Sequence, residues 1–91
     1  MTDKLAQFFS MFGDETRIKI LMLLLTGEST VTEIAEKCDL TISNTSHQLR
    51  MLRDEKLVKA RKSGKYNYYS LDDDHVKVII EYGIDHLSEK C

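Results

Sequence analysis

The stretch Thr30–Leu57, TVTEIAEKCDLTISNTSHQLRMLRDEKL, carries the reading of the whole chain. It divides into two short helices with a tight break between them. Thr30 followed three residues later by Glu33 is a capping box, and it opens a helix that turns Val31, Ile34 and Ala35 inward. The apolar pattern lapses at Cys38 and Asp39, in the turn, and Leu40 follows as a buried plug. Thr41 then caps a second helix with Ile42, Thr45, Leu49 and Leu52 on its inner side. Ser43, Asn44, Ser46, His47, Gln48 and Arg50 are left pointing outward. Small hydroxyls, amides and an arginine on the exposed first half of a second helix suit base edges and phosphates. A merely solvated helix shows the same residue types, so the flanking sequence has to decide.

After Lys56 the period changes from helical to alternating. Residues 57–61 and 66–71 read as two strands around Lys62-Ser63-Gly64-Lys65. A hairpin directly after such a helix, with Arg61, Lys62 and Lys65 near its tip, is a wing that touches the phosphates beside the groove. Upstream, Thr2 to Phe12 forms an amphipathic helix with Leu5, Phe8, Phe9 and Phe12 on one side, ended by Gly13. Asp14 caps the next helix, whose inner face holds Ile18, Leu21, Met22 and Leu25, and Gly27 closes it. Downstream, three acids at 72–74 suit the positive end of a final helix, whose Val76, Ile79, Ile80, Ile84 and Leu87 make a broad apolar face. The fold class is therefore mainly α with a two-stranded β wing, a winged helix-turn-helix. One domain spans residues 1–91, with the helix-turn-helix at 31–56 and the wing at 57–71.

Ninety-one residues bury a small core, and pairing with a second copy would hide more apolar surface. The phenylalanines at 8, 9 and 12, with Ile79, Ile80, Tyr82 and Ile84, supply more than one chain can cover. Gly83 either permits close helix approach or is simply tolerated. The longest apolar run, residues 20–25, is about a third of a membrane span, and no signal pattern opens the chain. Two cysteines make no disulfide framework, so a cytoplasmic protein is expected. The net charge of −2 is unevenly spread: −3 over residues 1–40, +5 over 41–70 and −4 over 71–91. A basic middle between acidic ends suits a DNA-reading segment on a scaffold with another task. An enzyme is disfavoured, since no nucleophile–base pairing or glycine-rich phosphate loop is visible.

Three pieces, FGDETRIKIL (12–21), VTEIAEKCDLTISNTSHQLRMLRDEKLV (31–58) and RKSGKYNYYSL (61–71), resemble the small winged-helix repressors of the ArsR/SmtB family in order and spacing. The resemblance implies a homodimer paired through the first helix (1–12) and the last (72–90). It further implies that the dimer binds a double-stranded operator of two-fold symmetry and lets go when an inducer binds. The family's thiolate sites use cysteines near the start of the third helix. Ser29 and Thr30 stand there in this chain, and no cysteine lies near the N-terminus, so arsenic, cadmium and lead sites do not carry over. Relatives often place a polar residue where Ile42 stands; here it meets a thymine methyl or packs.

The last helix is similar to the zinc-sensing branch, which carries Asp-x-His and, eleven residues on, His-x-x-Glu. Asp73, His75, His86 and Glu89 match that pattern. Two imidazoles and two carboxylates suit Zn(II), with Co(II) as a substitute. The spacing makes a further demand. His75 and His86 lie about 16 Å apart along a helix, too far to share one ion, so an antiparallel partner helix must complete each of two sites. The resemblance also suggests that the second ring nitrogen of His86 reaches a backbone carbonyl near Lys56. An alternative repressor on the same fold responds to thiol oxidation at Cys38 or Cys91, or to another non-metal signal. A winged helix used only for protein contacts is the remaining rival. No membrane or small organic substrate is implied.

Overall fold

The computed structural model describes residues 1–90. Helices α1 (Thr2–Ser10) and α2 (Glu15–Leu24) are followed by a short strand, β1 (Ser29–Thr30). Helices α3 (Val31–Cys38) and α4 (Ile42–Asp54) come next, then strands β2 (Val58–Ser63) and β3 (Tyr66–Leu71), then helix α5 (Asp74–Lys90). Each start expected from a capping residue is built as the chemistry demands. Asp14 accepts from the Arg17 amide at 3.1 Å, and Thr41 accepts from Asn44 at 3.0 Å. The Thr30–Glu33 box is reciprocal, with Glu33 accepting from the Thr30 amide at 2.9 Å. That bond holds the Glu33 carboxyl below its ordinary range.

Both helices of the helix-turn-helix end the same way. The Leu40 amide reaches back to Ala35 at 2.8 Å while that of Asp39 bonds Glu36. At the end of α4, Leu57 bonds Leu52 at 2.8 Å and Lys56 bonds Arg53. These are Schellman endings, which require a left-handed residue before the apolar one. Asp39 (φ 56°) and Lys56 (φ 65°) fill that place without being glycine. Leu57 is fully buried, and Leu40 packs on the edge of the core.

The core lies between α2, α3, α4, the sheet and the first turns of α5. Ile20, Leu21, Ile34, Leu49, Leu52, Leu57 and Val58 are its fully buried members. Several sequence expectations shift here. In α2 the buried face is Ile20, Leu21 and Leu24, while Met22 is exposed. A run of six apolar residues has no period to fix its face. Cys38 is the last residue of α3 and is buried, so it is not in the turn. Ile42 opens α4 at 52% exposure, outside the core that begins at Thr45, whose hydroxyl donates to the Thr41 carbonyl at 2.8 Å.

The two strands of the wing hairpin form as expected, and a third joins them. The sheet has three antiparallel strands in the order β1-β3-β2. Ser29 pairs with Tyr69 and Thr30 with Tyr68, so the first strand ties the wing to the start of α3. The hairpin closes through Gly64 and Lys65 alone, because Ser63 already pairs with Tyr66. Gly64 takes φ 61°, the left-handed value a two-residue turn needs at its first position. Lys62 thus lies on β2, opposite Asn67.

Helix α1 has no buried residue, although Phe8 and Phe12 pack against the core edge in edge-on contact, centroids 5.4 Å apart. Arg17 holds it to α2 by bonding the Met11 carbonyl at 3.0 Å and that of Ser10 at 3.2 Å. Only Val76 and Ile80 of α5 are buried. Tyr82 (70%) and Leu87 (63%), with Val78 and Ile84, lie exposed. Among the described residues, no helix is long and apolar enough to cross a membrane.

Candidate nucleic-acid interface and metal-ligating residues

Helix α4 presents Ser43, Asn44, His47 and Arg50 to solvent, with Ser46 and Gln48 half-buried on the same outer side. Thr45, Leu49 and Leu52 anchor the opposite side in the core, which fixes the rotation of the helix about its axis. Gln48 is engaged within the helix: its amide nitrogen donates to Asn44 Oδ1 at 3.3 Å, and its Oε1 is buried with no partner. Reaching a base edge requires that amide to turn outward, which relieves the unpartnered oxygen.

The three basic residues named for the wing differ in their freedom. Lys62 and Lys65 are exposed near the turn. Arg61 is held instead. Its Nε donates to Glu28 at 3.2 Å and its second nitrogen completes a two-pronged pair, while the guanidinium lies 4.9 Å over the Tyr68 ring. Hydrogen bonding from Arg61 keeps the Glu28 carboxyl below its ordinary range. Arg61 therefore braces the wing against the loop before β1. Thirty-three residues separate this pair, and no local pattern announces it. Arg53, left out of the sequence reading, sits three residues beyond Arg50; that spacing alone places it on the same helix face.

The four proposed metal ligands fall into two groups on one helix. Asp73 Oδ1 accepts from the His75 and Val76 amides at 2.9 and 3.3 Å, capping α5. Its Oδ2 faces His75 Nδ1 at 3.2 Å. That separation is a hydrogen bond, and it is close to the spacing of about 3.3 Å between two ligands of a tetrahedral zinc. Bonding from the His75 ring, then from the backbone amides, holds the Asp73 carboxyl below its ordinary range. His86 and Glu89 lie exposed on the far half of α5, three residues apart on one side. Among the described residues no three His, Cys, Asp or Glu of a single chain gather as a metal group. Lys56 is exposed, in its left-handed turn after α4. Cys38 is the free thiol of the described residues, and burial pushes its pKa up. Cys91 lies outside them.

Fold and recognition face together define a winged helix-turn-helix transcriptional regulator, a DNA-binding protein and not an enzyme. Residues 14–60 match the family of bacterial regulatory proteins called the arsR family, and the chain belongs to that family. A Staphylococcus aureus protein, a homolog of the cadmium resistance regulatory protein CadC, is 41% identical over 85 residues, 92% of this chain and 70% of its own length. A Synechocystis homolog of the transcriptional repressor SmtB is 40% identical over 86 residues, 94% of this chain and 65% of its own. This chain thus spans about two thirds of the length of those two relatives. The homodimeric winged helix-turn-helix DNA-binding domain of Mb0332 from Mycobacterium bovis matches with a TM-score of 0.90 at 27% identity, over 97% of this chain and 82% of that one.

Proposed function

We propose that this chain is a transcriptional repressor of the cytoplasm that binds a two-fold symmetric operator as a homodimer and releases it when Zn(II) binds. One observation carries the reading. Helix α5 holds a carboxylate–imidazole pair near each end, beside an apolar face that its own chain leaves uncovered. An antiparallel second α5 covers that face and brings Asp73 and His75 of each chain to the partner's other end, where His86 and Glu89 stand. The exposed Leu5 and Phe9 of α1 extend the apolar surface toward the same use. Two relatives named for SmtB and CadC support a transcriptional repressor that responds to metal, and a homodimeric structural neighbour supports the pairing.

The donor set favours zinc over a softer ion. Two imidazole nitrogens and two carboxylates are borderline-hard donors, whereas a cadmium site of thiolates needs several cysteines. Cys38 is buried and its thiol is raised, which disfavours both a thiolate site and a redox switch there. A bound zinc supplies a fixed four-way link between two helices, without an open position for catalysis. The chain's own part is to transmit that link. The second ring nitrogen of His86 donates toward the carbonyl region of Lys56, directly after α4, and sets the spacing of the two recognition helices. On DNA, Ser43, Ser46, His47 and Gln48 approach bases, while Asn44, Arg50, Lys62 and Lys65 take phosphates.

The test is an operator-binding titration with zinc and with a chelator. Zinc should weaken operator affinity by a coupling of about 1–3 kcal/mol, and DNA should weaken zinc binding by the same factor. Unchanged affinity at saturating zinc rejects the sensor while leaving DNA binding intact.

A further inference from the structure

The four arginines of this chain are of two kinds. Arg17 and Arg61 are engaged inside the fold, one on the carbonyls that end α1 and the other on Glu28. Arg50 and Arg53 form no ion pair within 4.0 Å among the described residues. Both line one cleft of about 290 Å³ where α4 meets the wing, together with Ser46, Asp54 and Tyr69. Ser46, Arg50 and Arg53 follow each other at helical spacing, so their side chains leave α4 on one side. Tyr69 comes from the central strand, half-buried and packed on the core, and its partner across β1 is Ser29. The cleft walls are therefore a helix and a strand that both pack on the core.

From this arrangement we infer that the cleft is a phosphate-binding site, built to grip one backbone phosphate of a DNA duplex between the recognition helix and the wing. Two guanidinium forks and the Tyr69 hydroxyl match the oxygens of a phosphodiester, and an arginine keeps its charge at every physiological pH. Asp54 leaves the balance at two cations against one anion. The cleft lies in the seam between the helix read as entering the groove and the basic wing, so the strand passing from one to the other crosses it. The role thus adds Arg53 and Tyr69 to the DNA surface. It rests on the DNA-binding reading and needs none of the metal reading.

The experiment measures binding of the full chain to a fluorescent mixed-sequence duplex in chelator, across a series of salt concentrations. Loss of one phosphate contact lowers the slope of log affinity against log salt by about 0.9. Arg53→Gln should show that drop, Arg53→Lys should restore the slope with weaker binding, and Tyr69→Phe should weaken binding at an unchanged slope. Circular dichroism of each variant at the wild-type signal excludes misfolding as the cause. An unchanged slope for Arg53→Gln overturns the cleft while wild-type binding upholds the DNA surface. No binding by the wild type overturns both. Inorganic phosphate titrated alone by calorimetry should give no saturable heat. Saturable heat lost in Arg53→Gln would assign the cleft to a free phosphate ligand and overturn the duplex assignment.

Discussion

Asp39 and Lys56 occupy backbone positions that glycine fills more cheaply. Each stands in the left-handed region at the end of a helix, with its side chain exposed. The Cβ clash there is worth about 1–2 kcal/mol, against about 0.5–1 kcal/mol of chain entropy that glycine loses on folding. Asp39→Gly should therefore raise the unfolding free energy by about 0.5–1 kcal/mol, read from urea denaturation at unchanged m-value. A loss of stability would show that the carboxylate does more than fill the turn. At this scale the sequence was most legible where chemistry is local. Asp14, Thr30 and Thr41 cap their helices because a side-chain oxygen and an amide three residues on must meet. It was least legible where a partner comes from afar. Arg61 reads as a free wing-tip cation, and only folding brings Glu28 to it. Gln48 reads as a donor offered to a base, yet in the structure it serves Asn44 first.

Among the elements, the helix-turn-helix was legible at its two caps and at the Leu40 plug, while Leu57, which reads as the start of a strand, closes α4 as a second buried plug. The face of α2 was not legible, because an unbroken apolar run satisfies every rotation equally. Nor was β1, where two residues are too few to show alternation. Helix α5 was legible as an element, and its surface now defines a test. With only Val76 and Ile80 docked, most of its length depends on a second chain for burial in the proposed dimer. Leu87, exposed in the single chain, should tolerate a charge when the chain is alone and forbid pairing when it is not. Leu87→Glu is expected to shift the sedimentation equilibrium toward monomer by tenfold or more in dissociation constant, equivalent to about 1.4 kcal/mol. A dimer of wild-type strength would remove α5 from the interface and the shared metal sites with it.

Across the whole molecule, the proposed ligands and the proposed recognition face are separate surfaces, so coupling between them has to run through the chain. Two variants should divide the route. His75→Ala removes a ligand and should weaken zinc binding at least tenfold by calorimetric competition, while operator binding without metal stays at the wild-type level. Methylation of the second ring nitrogen of His86 should leave zinc binding near normal and abolish its effect on DNA. If the methylated protein still responds fully to zinc, the Lys56 route is wrong. The overall fold and the paired spacing on α5 were visible in residue order, whereas the cleft between α4 and β3 was not, because it is assembled from residues that only the sheet brings together. That sheet also has a consequence for how the protein comes into being. The strand before α3 finds its partner at Tyr68 and Tyr69, nearly forty residues later in synthesis. A nascent chain that has released α3 and α4 still lacks the strand that pairs with β1. A chain truncated within the hairpin therefore leaves the ribosome with β1 unpaired and the entry to α3 unfastened.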